Sequence, residues 1–234
     1  MSRFTDEQNE KLKDLLAEKS LWQVYLSSRK IPFSQWNIGI GVVVAVLLFY
    51  SCLFAKSPAA IADQLLAFAT LSFPLAIGQL GFLLAGFSFF ATVADKGLFC
   101  RMADKTHQKS GLSFIKYNFL VFMRVFVEYL IFTFACLGIL LLLTKGLGAR
   151  EAISQFLGQW PKTKLPVAAG AFGLFSGCLV YLLMQLASFI YNIYHVVMTS
   201  IRWELQKHYD DLNKNEILTE QETDSASLES NSDS

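Results

Sequence analysis

The chain has 234 residues, 53% of them hydrophobic, with 21 Phe and a mean hydropathy of +0.40. A formal net charge of +1 excludes a global electrostatic attraction to nucleic acid. Residues 31–55, 64–94 and 165–201 contain no Asp, Glu, Lys or Arg; about 20 predominantly apolar residues suffice to cross a bilayer core, so an ordinary soluble domain is excluded as well.

Residues 1–35 read as a cytosolic amphipathic segment, with one helix over 5–30. Thr5 with Gln8 fits a capping box. Leu12, Leu15, Leu16, Trp22, Tyr25 and Leu26 form one face, and Pro32 ends the helix. That face packs on the protein's own cytosolic parts or lies on the membrane surface. The polar start lacks a short apolar stretch with a small-residue cleavage site, so no cleavable signal is expected and the first span inserts as an internal signal.

The first span is expected over 36–54, and Ser57-Pro58 then reads as the cap and first residue of a new helix. Residues 58–94 would be about 55 Å long as one helix at ~1.5 Å per residue. Pro74 is therefore expected to kink or divide it, leaving 75–94 as the second span and 58–73 projecting or lying at the outer interface. On this span Gly78, Gly81, Ala85 and Ser88 recur at spacings of 3, 4 and 3, a small-residue seam for helix packing. The run Gly81–Phe99, with its Gly-Phe pairs followed by Asp95-Lys96, resembles small prokaryotic membrane proteins. That resemblance implies a bacterial inner membrane.

A polar loop occupies 95–116, and the third span covers 119–143. Arg124 and Glu128, four apart on one face, form a candidate ion pair at its cytosolic boundary, with a buried pair, or a Glu128 contact to His195 or Asn192, as the sharper alternative. Residues 144–166 form a second loop with a short helix near 149–157. The fourth span is expected over 167–191, closing a four-span membrane domain of residues 36–198. Ala169, Gly173 and Gly177 give its outer half small-xxx-small spacing. A cytosolic helical extension follows over 199–215, and an acidic, Ser-rich tail over 216–234 has the composition of disorder.

Along the last span Gln185, Ser188, Asn192, His195 and Thr199 recur at spacings of 3, 4, 3 and 4, a polar seam on one helix face. In lipid such groups need partners or water. The seam can cross-link helices inside the bundle, meet a second copy, or line a path for ions or protons. Further along, Tyr194, Met198, Ile201, Leu205, His208 and Leu212 follow spacings of 4, 3, 4, 3 and 4, a short coiled-coil seam. Ile201 and Leu205, with Leu12, Leu15 and Leu16, are the candidate docking residues for a cytosolic protein.

Orientation follows from Lys and Arg counts. Six in 1–35, five in 95–116 and three in the C-terminal segment, fourteen in all, stand against one in 55–63 and four in 144–166, which places both termini in the cytoplasm. Cys52, Cys100, Cys136 and Cys178 lack metal or redox spacing, and the three His residues lack ligand spacing, so no metal or cofactor is expected. No nucleophile elbow, P-loop or dinucleotide fingerprint occurs, and no catalytic residue is assigned.

The expected class is an all-α integral membrane four-helix bundle with an amphipathic N-terminal helix and a helical extension of the last span. The expected function is a non-enzymatic multi-pass scaffold or sensor in a prokaryotic stress or defence response. It would sit in the lipid bilayer, form a homo-oligomer and dock a cytosolic protein. The alternatives are an ion channel or membrane-disrupting effector built around the polar seam, and a small transporter.

Overall fold

A computed structural model describes residues 18–29, 31–32, 34–55, 57–93, 111–146, 148–160 and 162–230. The described residues are all-helical, with no strand. The helices are α1 (Leu21–Ser28), α2 (Gln35–Leu53), α3 (Pro58–Val93), α4 (Phe114–Leu143), α5 (Ala149–Gly158) and α6 (Lys164–Ser230). Four stretches are long and apolar enough to cross a membrane: Gln35–Leu53, Pro58–Ser88, Phe114–Leu143 and Lys164–Lys214. The chain divides into two compact units, Met1–Phe189 and Ile190–Ser234.

Local signals fix the helix starts. Ser20 caps α1, its Oγ accepting from the Gln23 N–H at 3.2 Å, while the Gln23 side chain accepts from the Lys19 N–H at 2.8 Å. This reciprocal pair breaks the single helix expected over 5–30, because residues 18–20 are not helical. Leu12, Leu15, Leu16 and the Thr5–Gln8 pair lie outside the described residues. Ser57 Oγ accepts from the Ala60 N–H at 3.2 Å ahead of Pro58, the cap and first-residue pair anticipated for α3. Ser113 caps α4 by accepting from the Lys116 N–H. Gly146 and Gly148 turn the chain between α4 and α5 with φ of 93° and 72°, a left-handed backbone that suits glycine.

α3 is not divided at Pro74; it runs unbroken over Pro58–Val93. The buried side is Ile61, Leu65, Ala69, Ser72, Ala76 and Leu83, and Pro74 lies on the exposed side. Proline removes one helical N–H, and the helix carries that loss on its exposed side.

Inside the first unit, contact positions fix the helix directions. Gly41 of α2 lies against Gly177 and Tyr181 of α6, and Ala45 against Gly173 and Gly177, so α2 and α6 are antiparallel. Phe122 of α4 meets Phe189, and Phe132 stacks on Phe175 at 4.8 Å, so α4 also opposes α6. Phe68 of α3 touches Phe172 and Phe175, while Phe87 stacks on Phe122 at 4.8 Å, so α3 runs with α6. The amino ends of α2 and α4 therefore share one end of the bundle with residues 185–189 of α6. In lipid, tails are as apolar as Leu, so helix association rests on close contact and on polar bonds; the Phe ladder and the small-residue crossing supply the contact.

In the second unit, α6 continues to Ser230, where disorder is expected over 216–234. Four Glu and two Leu in that stretch, with Gln221 and Ala226, are strong helix formers; a composition too polar to build a core still permits local i to i+4 bonding.

Candidate functional site

The amino end of the bundle holds a connected set of polar side chains. Asn37 sits in the first turn of α2 and is buried. Its Nδ2 donates to Gln185 Oε1 at 3.0 Å and to Ser188 Oγ at 3.0 Å. Gln185 Nε2 donates to the Tyr181 hydroxyl at 2.7 Å. That hydroxyl donates to the Glu128 carboxylate, at 3.2 Å to Oε2 and 3.4 Å to Oε1. Arg124 Nε reaches Glu128 Oε1 at 3.2 Å, and its NH1 donates to the Ile31 carbonyl at 3.1 Å.

Donors from Asn37 onward point one way, towards Glu128, where the hydroxyl of Tyr181 and the guanidinium of Arg124 converge. A carboxylate accepts several bonds and strengthens each of them. The Arg124 and Glu128 side chains are only 5% and 11% exposed, so the pair is withdrawn from bulk solvent. Such a pair holds only where further bonds satisfy its remaining lone pairs and protons. Here Tyr181 and the Ile31 carbonyl provide some of them. The set thereby ties α2, α4, α6 and the segment before α2 together. Close by, the buried Tyr129 hydroxyl donates to the Leu182 carbonyl at 3.0 Å.

The network is placed by a crossing of small residues. A Cβ added at Gly177 would lie 2.7 Å from Gly41 O and 2.7 Å from Ala45 Cβ. One added at Gly173 would lie 2.6 Å from Ala45 O. On α2 the row is Asn37, Gly41, Ala45, Phe49; on α6 it is Ala169, Gly173, Gly177, Tyr181, Gln185. Both repeat every four residues, the pattern of close small-residue crossings in membranes. Backbone approach at the glycines lets the short Asn37 side chain reach α6.

The sequence-level candidates are divided by the structure. Gln185, Ser188, Arg124 and Glu128 are brought together. Asn192, His195 and Thr199 belong to the second unit. There, Thr199 Oγ1 donates to the His195 carbonyl at 2.7 Å, and the His195 ring lies 4.5 Å from that of Tyr191. Among the described residues Glu128 is bonded by Arg124 and Tyr181, not by the Asn192 or His195 expected as its alternative partners. Ala169, Gly173 and Gly177 pack tightly, whereas Gly78, Gly81, Ala85 and Ser88 are exposed, and a Cβ at Gly78 or Gly81 would meet nothing within 4 Å. Ile201 and Leu205 are also exposed. Asn37 and Tyr181 were not anticipated, although each stands four residues before a singled-out or small residue in a row of four.

Among the described residues, no group of three His, Cys, Asp or Glu side chains is placed to hold a metal ion. Cys52 and Cys136 are buried free thiols and Cys178 an exposed one. No protein-family model matches the chain, and no curated protein or solved structure matches it.

Proposed function

We propose that this chain is a non-enzymatic membrane scaffold that self-associates in the bilayer and holds a soluble protein on the cytosolic part of its last helix. The observation carrying this reading is the exposed apolar stripe of the second unit: Tyr194, Met198, Ile201, Leu205 and Leu212, each about half exposed. With His208 between the last two, its alternating spacing of four and three is that of a coiled-coil seam. The excess of Lys and Arg on one side supports cytoplasmic termini, and the resemblance of Gly81–Phe99 supports a prokaryotic inner membrane. The outward small-residue face at Gly78, Gly81, Ala85 and Ser88 supports contact between copies within the bilayer.

A conducting path along the polar seam is the weaker reading. Gln185 and Ser188 spend polar atoms on Asn37 and Tyr181 rather than on a water column. Affinity capture of the full chain from membranes, beside an Ile201→Glu/Leu205→Glu variant, tests the scaffold reading. A specific soluble protein retained by the native chain and lost from the variant supports it. Equal retention by both removes the role of the stripe. Ion leak from liposomes that disappears in a Gln185→Leu chain would favour the channel instead.

A further inference from the structure

Among the described residues, α1 meets the bundle along one side. Glu18, just ahead of it, forms an ion pair with Lys116 Nζ at 3.3 Å, with both side chains largely withdrawn from solvent. Just after it, the Ile31 carbonyl receives the Arg124 guanidinium, and the Ile31 side chain is buried. α1 packs against α4, and Ser28 on the inward side is fully buried, its hydroxyl donating to the Tyr25 carbonyl at 2.6 Å.

Among the described residues, the side of α1 that carries Trp22 and Leu26 is exposed, and Tyr25 beside them is half-buried. Leu21, Trp22 and Leu26 are 44%, 62% and 46% exposed, and the Trp22 and Tyr25 rings pair at 5.6 Å. At about 100° per residue, Leu21, Tyr25, Trp22 and Leu26 cover roughly 140° of the helix. Exposed Arg29 falls within that arc, and exposed Lys19 stands just ahead of the Ser20 cap. A face of aromatic and aliphatic side chains set among cations suits neither water nor a hydrocarbon core. It suits the boundary between them, where Trp and Tyr concentrate.

Position selects the occupant. Only residues 29–34 separate α1 from α2, a helix apolar enough to span the membrane. Trp36, in the first turn of α2, is 82% exposed. The exposed face of α1 therefore stands six residues from the start of an apolar span whose first turn carries an exposed Trp36. We infer that α1 is an interfacial helix: Leu21, Trp22, Tyr25 and Leu26 lie in the headgroup layer of the bilayer, and Lys19 and Arg29 meet the phosphates of anionic lipids. The ion pair at Glu18 and the Arg124 bond to Ile31 hold the helix in that plane.

The test uses the full chain in nanodiscs of phosphatidylcholine mixed with phosphatidylglycerol. A Trp36→Phe/Trp160→Phe/Trp203→Phe chain leaves Trp22 as the sole indole. Its emission is expected to be blue-shifted, lost mainly to lipids carrying a nitroxide at the headgroup, less to those labelled deep in the acyl chain, and little to aqueous iodide. Adding Lys19→Gln/Arg29→Gln should reduce headgroup quenching in the mixed discs and leave it unchanged in pure phosphatidylcholine. A companion chain that keeps only Trp36 reports insertion of the spans in the same discs, so a silent Trp22 counts against the inference. Strong iodide quenching of Trp22 overturns it by placing the face in water. Protection from every quencher overturns it by showing that protein, either residues 1–17 or another chain, covers the face. Equal quenching with and without the two cations overturns the anionic-lipid contact.

Discussion

Asn37 and Gln185 lie 148 positions apart in the chain and share a buried side-chain hydrogen bond of 3.0 Å. It joins the first turn of α2 to α6. In a bilayer, cutting such a bond strands a polar group where water cannot replace its partner, and interhelical bonds of this kind contribute about 0.6–2 kcal/mol. Asn37→Leu and Gln185→Leu should each destabilise the folded chain. The double variant should be less damaging than the two added, because the second change removes a group that the first has already orphaned. A double-mutant cycle of unfolding in bicelles measures this directly; strict additivity would mean that the two amides are not coupled.

Arg124 and Glu128 carry a heavier penalty. Removing one member of a buried ion pair leaves the other charged without compensation, typically at about 3–5 kcal/mol. Arg124→Leu should therefore lower detergent stability more than any single change at Asn37, Gln185 or Ser188. Glu128→Gln keeps an acceptor for the Tyr181 hydroxyl and should be milder than Glu128→Leu. The Arg124→Leu/Glu128→Leu chain should recover part of the loss. Thermal unfolding in detergent ranks all four, and a double variant worse than Arg124→Leu alone would argue that the guanidinium and carboxylate act separately.

The spans were legible because charge-free runs of the right length leave few alternatives in an all-helical chain. Arg124, Glu128, Gln185 and Ser188 were legible for the related reason that polar groups inside apolar runs stand out. Their assembly was not. A hydrogen bond from α2 to α6 depends on the register between helices distant in sequence, and local periodicity carries no information about that. Asn37 was a lone amide in a span, and only its place in the row through Gly41, Ala45 and Phe49 hinted at a buried face. The small-residue stripes show the same limit. Gly173 and Gly177 face α2, whereas Gly78 and Gly81 face outward; spacing identifies a contact-prone face without naming its neighbour.

Those two glycine sets make opposite predictions. Gly177→Ala places a methyl group within 2.7 Å of Gly41 O and Ala45 Cβ. The helices must separate, at a cost of about 1–3 kcal/mol for overpacking. Gly78→Ala meets open space and should stabilise the single chain by up to ~1 kcal/mol through helix propensity alone. Gly78→Leu/Gly81→Leu should leave single-chain stability intact while reducing disulfide-free chemical cross-linking between copies in the membrane. Unchanged cross-linking would remove this face from the proposed self-association.

The 144–166 loop carries four cations on the side otherwise poor in Lys and Arg, and Asp63 offsets two of them. Arg150 NH1 lies 2.7 Å from Asp63 Oδ1, and Lys145 Nζ lies 3.8 Å from the same oxygen. These bonds strap α5 and the turn before it to the amino part of α3. Lys145 is well exposed and Asp63 half exposed, so salt should weaken the contact. Asp63→Asn should raise hydrogen exchange and protease cleavage across 145–158 while the unfolding midpoint of the bundle stays where it was. High salt should reproduce that loosening in the native chain and add little in the variant. Native-like protection in Asp63→Asn would show that α5 is held by its apolar side against α4 instead.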